Sequence, residues 1–437
     1  MTQEWISEFA GVKEGEWLNQ LLKELKGDES RLTIYDEIEE ISYSTYNYPD
    51  CKILVDQSSS NLNIERGFFK SQNRWRNGIQ VIITNEAEAN KKALNALMAG
   101  CDFIHFISKG KTNWNIVLKE IELPYIHSTF SIHDSDDFHS LTEIIGFDKL
   151  SYCSFDLPKK SISVNEIFDL IKIIQLPIIQ IDGFSLNQCG ANATQELAFI
   201  LTESHVELLN LMDHGLSIDE AAACIHFRLG IGANYLVEIS KFRALKILWA
   251  NLIKSYNPKH NCSLNCQITA EVGWVNKSLK DPYTNLLRQT TEAMSAIFGG
   301  IERLIIQPYD ACSIRGTSDL SQRMALNISN ILCDECYLSN IMDPLGGSYD
   351  IEIKSKLLAT KGWELFKKID CLSPELQDEQ WKKLITAKAN QRIERVRNGQ
   401  DTLIGVNKYF NLQEIACDWA SPISFQGMPF LRLETEL

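Results

Sequence analysis

Eight short strand-like runs, with longer helical segments between them, predict a (β/α)8 barrel, and three observations carry that expectation. The runs are Ile79-Thr84, Asp102-Ile107, Pro124-Ser131, Leu150-Phe155, Pro177-Ile181, Ile225-Gly230, Leu264-Thr269 and Arg303-Ile306. They are mostly apolar, and several read as strands buried on both faces. The intervening helices include Glu86-Met98, Val164-Ile174, Ala193-Met212, Ala233-Tyr256 and Pro282-Phe298, spread with the strands over about 260 residues. An open doubly wound sheet would advertise a glycine-rich turn after its first strand, and Asn85-Glu-Ala-Glu88 has no glycine.

Taken in order, residues 1–75 hold one clear helix, Glu16-Leu25, ended at Gly27. The Ser/Tyr/Asn-rich stretch from Ser42 to Leu62 then reads as an extended arm. Its Tyr43, Tyr46 and Tyr48 suit a subunit interface. Residues 76–352 form the barrel. Ser217-Ile-Asp-Glu220 is a capping box, and Pro282 at the first turn of its helix follows Asp281 as the natural cap. In the helix after the sixth strand, Leu236, Ile239, Phe242, Leu245, Leu248 and Leu252 form an apolar stripe, with Glu238, Lys241 and Lys246 off it. Residues 353–437 are a helical extension with helices Lys354-Lys368 and Glu375-Arg397.

Composition narrows the function classes. With 43 Lys+Arg against 57 Asp+Glu, the net charge of -14 argues against a general nucleic-acid binder, which needs a basic face. An apolar fraction of 44% is ample for a core. The N-terminus has neither the basic nor the apolar region of a secretory signal, and no run reaches membrane-helix length, so a cytoplasmic protein with no membrane partner is expected. The 12 cysteines then read as reduced, small hydrophobic side chains. Cys333-Asp-Glu-Cys336 lies in a helical pattern that puts both thiols on one face, and Cys262 with Cys266 is a looser pair; neither reads as zinc.

Known nucleophile and cofactor motifs are missing from the sequence. A barrel places its site at the C-terminal ends of the strands. The loop after the fifth strand, Asp182-Gly-Phe-Ser-Leu-Asn-Gln-Cys-Gly-Ala191, suits either backbone close to a ligand or a sharp connector. His105 reads as a core histidine, and His133 and His139, among Asp134, Asp136 and Asp137, as a solvated acidic loop. His226 beside Arg228 is the one cationic candidate at a strand end, with an ion pair to a neighbouring strand as the favoured reading.

Three blocks carry a family resemblance. Gly273-Trp-Val-Asn-Lys-Ser-Leu-Lys-Asp-Pro-Tyr-Thr-Asn-Leu-Leu-Arg-Gln-Thr-Thr-Glu-Ala-Met294 with Ile297-Phe-Gly-Gly300 is one, and Asp343-Pro-Leu-Gly-Gly-Ser-Tyr349 with Glu352 another. The third is Gly230-Ile-Gly-Ala-Asn234 with Lys241-Phe-Arg-Ala-Leu-Lys-Ile-Leu-Trp249. Together they resemble the adenosylcobalamin-dependent acyl-CoA mutases, that is the methylmalonyl-CoA mutase family, and most of all its small subunits. The resemblance runs from about Trp75 to Val406. It implies a (β/α)8 barrel threaded by the pantetheine of an acyl-CoA. It also implies interconversion of methylmalonyl-CoA and succinyl-CoA through a 5′-deoxyadenosyl radical.

The sequence departs from that pattern where the family does its chemistry. The family's cobalt-ligating Asp-x-His-x-x-Gly has only Asp137-Phe-His139 as an imitation, so the cobalamin-binding domain is expected to be absent. The family's Gly-Tyr-His after strand five aligns with Gly183-Phe184-Ser185, its CoA-gripping Arg with Cys224 unless Arg228 substitutes, and its Ser with His226. The first-strand segment Trp75-Arg-Asn-Gly-Ile-Gln80 offers no active-site Tyr. No catalytic, cofactor-binding or metal-ligating residue is therefore expected here. The resemblance implies a small, non-catalytic subunit paired with a large catalytic subunit that carries adenosylcobalamin and turns over the acyl-CoA. Two alternatives stay open: a substrate-binding chain whose cobalamin domain is a separate polypeptide, or a stand-alone CoA-binding scaffold.

Overall fold

A computed structural model describes residues 12–45, 73–157, 177–411, 418–421 and 423–436. Helix α1 (Glu14–Glu24) is followed by a hairpin of β1 (Thr33–Asp36) and β2 (Ile41–Ser44). The barrel begins with β3 (Arg76–Ile83), α2 (Glu86–Met98), β4 (Phe103–Ser108), α3 (Trp114–Val117), β5 (His127–Ser131), α4 (Ser135–Ile145) and β6 (Cys153–Asp156). It continues through β7 (Ile179–Asp182), α5 (Gly183–Gln188), α6 (Ala193–Asp213), α7 (Ile218–Ala223), β8 (Ile225–Ile231), α8 (Tyr235–Lys254) and β9 (Ile268–Val272). After α9 (Thr284–Phe298), β10 (Arg303–Ile306) and α10 (Asp319–Asn330) come the long helices α11 (Tyr349–Asp370) and α12 (Pro374–Arg397). The expected helix Val164-Ile174, and Tyr46 and Tyr48 of the arm, lie outside the described residues.

Strands β3 to β10 form one parallel eight-stranded sheet in the order β6-β5-β4-β3-β10-β9-β8-β7, a nearly closed (β/α)8 barrel. The seam lies between β6 and β7. Pro177 stands just before β7 and has no N–H to give a ladder, so the junction is stitched otherwise. Phe155 N donates to Pro177 O at 2.9 Å, and the His226 ring bonds Phe155 O at 3.0 Å.

All eight expected strands are present, with corrected bounds. Leu123–Tyr125 and Phe147–Tyr152 are 3-10 turns, so β5 and β6 start three residues later than expected. The seventh strand is Ile268–Val272 rather than Leu264-Thr269, because Asn261–Leu264 is a 3-10 turn and the charged Glu271 faces inward within a fully buried strand. The capping box holds: Ser217 Oγ accepts from Glu220 N while Ser217 N donates to Glu220 Oε2 at 2.8 Å. Asp281 does not cap α9; Tyr283 occupies that position, and Asp281 accepts from the Thr284 hydroxyl instead.

The largest correction concerns α8. Its apolar stripe packs as expected from Ile239 to Leu252, with Leu236 left exposed, but Glu238, Lys241 and Lys246 are also buried, at 5%, 0% and 6% exposure. Helix α11 packs along α6 and α8 and removes the solvent face that a surface helix would have. Its polar groups must then be paired. Lys241 Nζ donates to Glu196 Oε2 at 2.9 Å and to Gly230 O at 2.8 Å, and pairs with Glu238 at 2.6 Å. Burial works against the ammonium, but the carboxylates of Glu196 and Glu238 more than offset it and hold Lys241 protonated. On the same helix Arg243 pairs with Asp343 and Glu352, and Lys246 Nζ donates to Gly300 O at 2.7 Å. The cysteine pair is likewise corrected: Cys333 is buried in the π-turn Ile331–Glu335, while Cys336 just beyond it is exposed.

Removing the cation from this cluster leaves two carboxylates buried without a counter-charge. Lys241→Met is expected to lower the unfolding free energy by about 3–5 kcal/mol, read from the urea midpoint. Arg31→Ala, which breaks only the exposed pair with Asp28, is expected to change it by no more than about 0.5 kcal/mol.

Candidate functional site at the barrel mouth

A barrel strand alternates between the lumen and the surrounding helices. Here the outward residues are mostly apolar and the inward ones mostly polar. Phe103, His105, His127, Thr129, Ser131, Ser154 and Asp156 form the inward series on β4 to β6, with Gln180, Asp182, His226, Arg228, Thr269, Glu271 and Arg303 opposite. Barrel interiors are more often packed with branched aliphatic side chains. This lumen is filled by hydrogen-bonded polar ones.

At the N-terminal end of the strands, the fully buried Arg303 donates from Nε to Thr269 Oγ1 at 3.0 Å and from one terminal nitrogen to Gln267 Oε1 at 2.8 Å. Its other terminal nitrogen lies 2.9 Å from His127 Nε2, and its guanidinium sits 5.7 Å from the Phe103 ring centre. Midway, His105 Nε2 bonds Ser131 Oγ at 2.8 Å, and that hydroxyl donates to Asp156 Oδ2 at 2.9 Å. His105 is thus the satisfied core histidine the sequence suggested. Burial, then the neighbouring cations Arg228 and Arg303 together with His226, hold it well below the usual imidazole range. His226, under burial and Arg303, is pushed down to about 3.

At the C-terminal mouth Arg228 is the centre. Its Nε and one terminal nitrogen donate to Glu271 Oε2 at 2.8 and 2.7 Å, and it also reaches Asp182 Oδ1 at 3.5 Å. The ion pair to neighbouring strands anticipated from the sequence is present on both sides. Glu271 accepts two further bonds, from Gln80 Nε2 at 2.9 Å and Gln307 Nε2 at 2.5 Å. Burial pushes its carboxyl up, while Arg228 pulls it back.

The segment after β7 is not a loop. Asp182 caps it, with Oδ1 accepting from Ser185 N at 3.1 Å and Oδ2 from Ser185 Oγ at 2.6 Å, and the capped turn becomes α5. This helix lies across the mouth. Phe184 places its ring 4.2 Å from the Arg228 guanidinium carbon, a cation–π contact that covers the ion pair. Asn187 and Gln188 come so close to β8 and β9 that glycine is required beneath them. A β-carbon at Gly273 would stand 1.9 Å from Gln188 Nε2, and one at Gly230 2.4 Å from Asn187.

Among the residues singled out from sequence, Phe184, Ser185 and Arg228 therefore meet at the mouth, His226 lies deeper against the seam, and Cys224 is outside the lumen. Cys224 caps the end of α7 below β8, its thiol bonded to Glu220 O. Sequence reasoning missed Glu271, Asp156, Gln80 and Gln307. Their signal was the i, i+2 polar series His127-Thr129-Ser131 and Gln267-Thr269-Glu271 inside runs read as apolar. Each mouth carboxylate accepts from a neighbouring side chain.

The cobalt-binding imitation does not fit a cofactor. Asp137-Phe-His139 lies within α4, and Asp137 is a buried structural acceptor for Trp114 Nε1 at 2.9 Å and Thr112 N at 3.2 Å. Asp137 is thus not part of a solvated loop as expected; His139 on the same helix is exposed.

A histidine held neutral inside the barrel but free to protonate near 6.5 when unfolded makes stability fall with acidification. The unfolded chain binds the extra proton from about pH 6.5 downward, and the loss continues toward the folded value near 3. For His226 this amounts to about 1 kcal/mol between pH 6 and pH 5. His226→Gln is expected to flatten the pH profile of unfolding by that amount over this range; an unchanged slope would show that His226 titrates freely in the folded barrel.

Comparison with known proteins agrees with this architecture. A family model for methylmalonyl-CoA mutase matches residues 160–421. The methylmalonyl-CoA mutase small subunit of Porphyromonas gingivalis is 29% identical, over 94% of this chain and 72% of that protein. The methylmalonyl-CoA mutase of Rhizobium meliloti is 32% identical and the mitochondrial one of Homo sapiens 34% identical, each over 53% of this chain. This chain spans only 33% and 31% of those two proteins' own length. The three sequence blocks supply the ion pairs of Lys241, Arg243 and Lys246 and the buried pair Lys277–Glu292 at 2.8 Å, which hold the barrel's helices and loops in place. With more than half of its length matched, this chain belongs to the methylmalonyl-CoA mutase family.

Proposed function

We propose that this chain is the small, non-catalytic subunit of a heterodimeric, adenosylcobalamin-dependent methylmalonyl-CoA mutase, and works in the cytoplasm. The observation that carries this reading is the filled lumen. The resemblance implies that active relatives thread an acyl-CoA along the barrel axis. Here His226, Glu271 and Arg303 are each 0% exposed on that axis, and Phe184 closes its mouth. Admitting a pantetheine chain would mean breaking the Arg228–Glu271 pair and leaving both charges buried, a change that is strongly unfavourable. Phe184 and Ser185 also lack the reach of the tyrosine and histidine at the aligned family positions. Losing one such preorganised donor costs about 2.7–4 kcal/mol of transition-state stabilisation.

By this reading adenosylcobalamin and the acyl-CoA substrate belong to the large subunit. The small barrel persists because the large one docks against it. The small-subunit relative supports that assignment, since a subunit of that name implies a larger companion.

The purified chain is expected to give no saturable calorimetric binding of methylmalonyl-CoA, to retain no corrin absorbance after incubation with adenosylcobalamin and dialysis, and to form no succinyl-CoA. Mixed with a cobalamin-bearing large mutase subunit from the same source, it is expected to elute as a 1:1 complex. Turnover by the isolated chain would overturn the proposal, as would failure to form that complex. Phe184→Tyr with Ser185→His is expected to leave the isolated chain inactive; succinyl-CoA formation by that variant alone would show that the cobalamin requirement was misread.

A further inference from the structure

The hairpin of β1 and β2 lies on its own chain, over α6, α11 and α12, and is held there in an unusual way. Among its strand residues Ile41 is the buried apolar anchor, while Ile34 and Tyr35 are exposed. Its turn, Glu37-Ile38-Glu39-Glu40, is instead fastened by charge. Helix α12 offers Lys388, Arg392 and Arg395 at spacings of four and three, which is one helix face. Lys388 Nζ lies 2.7 Å from Glu40 Oε1, Arg392 lies 3.8 Å from Glu39, and Arg395 pairs with Glu37. Lys361 of α11 donates to Glu40 O, and Asn192 Nδ2 donates to Ile38 O at 2.7 Å.

Beneath this turn is a cavity of about 710 Å³, opening beside the ends of β8 and β9 and bounded by Asp36, Glu39, Asn234, Arg288, Arg392 and Arg395. Glu39 is the carboxylate of the turn that reaches deepest. It is 6% exposed, and its Oε2 accepts from Ala193 N, the first amide of α6, at 2.8 Å. A carboxylate is favourable at a helix N-terminus, yet here it has been carried out of water to get there.

We propose that residues 33–44 are a latch over this cavity, closed by the seating of Glu39 on the α6 N-terminus and opened by rising pH or by salt. Release frees the basic face of α12 and uncovers the cavity. The groups facing Glu39 set the direction. Helix α12 brings Arg392, with Lys388 and Arg395 occupied by Glu40 and Glu37. Helix α8 brings Glu238, already tied to Lys241, and the hairpin itself brings Asp36. Burial, with Glu238 and Asp36, outweighs Arg392 and the Ala193 amide and raises the seated carboxyl to about 7 from an ordinary 4.5. The closed state therefore prefers the protonated acid. Its advantage is complete below about pH 4.5 and is lost as pH rises through 7. The surrounding pairs weaken separately as salt shortens the screening length to about 3 Å at 1 M.

Hydrogen–deuterium exchange on the full chain tests this, because a two-stranded hairpin is marginal once undocked. Protection factors of peptides covering residues 33–44, corrected for the intrinsic pH dependence of exchange, are expected to fall on the order of tenfold from pH 5.5 to pH 8. Barrel peptides such as 225–231, which His226 stabilises as pH rises, should lose no protection over that range. Salt at 1 M is expected to lower hairpin protection at either pH. Glu39→Gln keeps an acceptor for Ala193 N without the charge, so it is expected to stay closed at pH 8 and to lose the pH response while keeping the salt response. A hairpin whose protection ignores pH, or a Glu39→Gln variant with the same pH profile as the parent, would overturn the latch.

Discussion

A side chain that points into a closed barrel has little water to turn to, so the polar atoms placed there depend on partners from other strands. That constraint organises this protein. Arg228 bonds Glu271 and Asp182, Glu271 also takes Gln80 and Gln307, and His105, Ser131 and Asp156 form a second chain from three adjacent strands. These bonds run between neighbouring strands and across the axis, so they fix strand register as well as filling space. Even the barrel's imperfect seam is closed partly from inside, by His226 reaching the Phe155 carbonyl.

The same demand recurs outside the sheet. Helix α8 lies between the barrel and α11, and its three cations each reach a carboxylate or a carbonyl delivered by a distant segment: Glu196 and Glu238 for Lys241, Asp343 and Glu352 for Arg243, Gly300 and Glu302 for Lys246. Buried ion pairs of this kind add little net stability over apolar packing, but breaking one is costly. They penalise any arrangement that separates the partners. The family blocks are therefore scaffold blocks, and a member can keep them in full while the mouth of its barrel changes.

Change at the mouth is local and self-consistent. A serine after Asp182 turns a strand-end carboxylate into a helix cap, and a phenylalanine beside it covers the guanidinium that the carboxylate faces. Groups at the mouth meet one another. The hairpin follows the opposite logic, with few apolar anchors and many exposed charges around its turn.

Much of the architecture was legible in the sequence because it depends on local, periodic signals. Eight β-branched runs, the capping box at Ser217 and the apolar stripe of α8 each declare themselves within a few residues, and the family blocks identify the barrel outright. The bounds of β9 were not legible, because Glu271 argues against a buried strand until Arg228 is seen beside it. Nor was the burial of Lys241, Arg243 and Lys246, which look like solvent-facing charges until α11 is laid over them. The hairpin turn reads as a run of acids, and only its docking against Lys388, Arg392 and Arg395, some 350 residues away, gives those acids a role. The sequence by itself determined where chain segments become strands and helices, since those choices are made by near neighbours. Which charges are buried, and which carboxylates are free to do chemistry, was decided only by the tertiary structure, because a charge's energy depends on what the rest of the chain brings within a few ångströms of it.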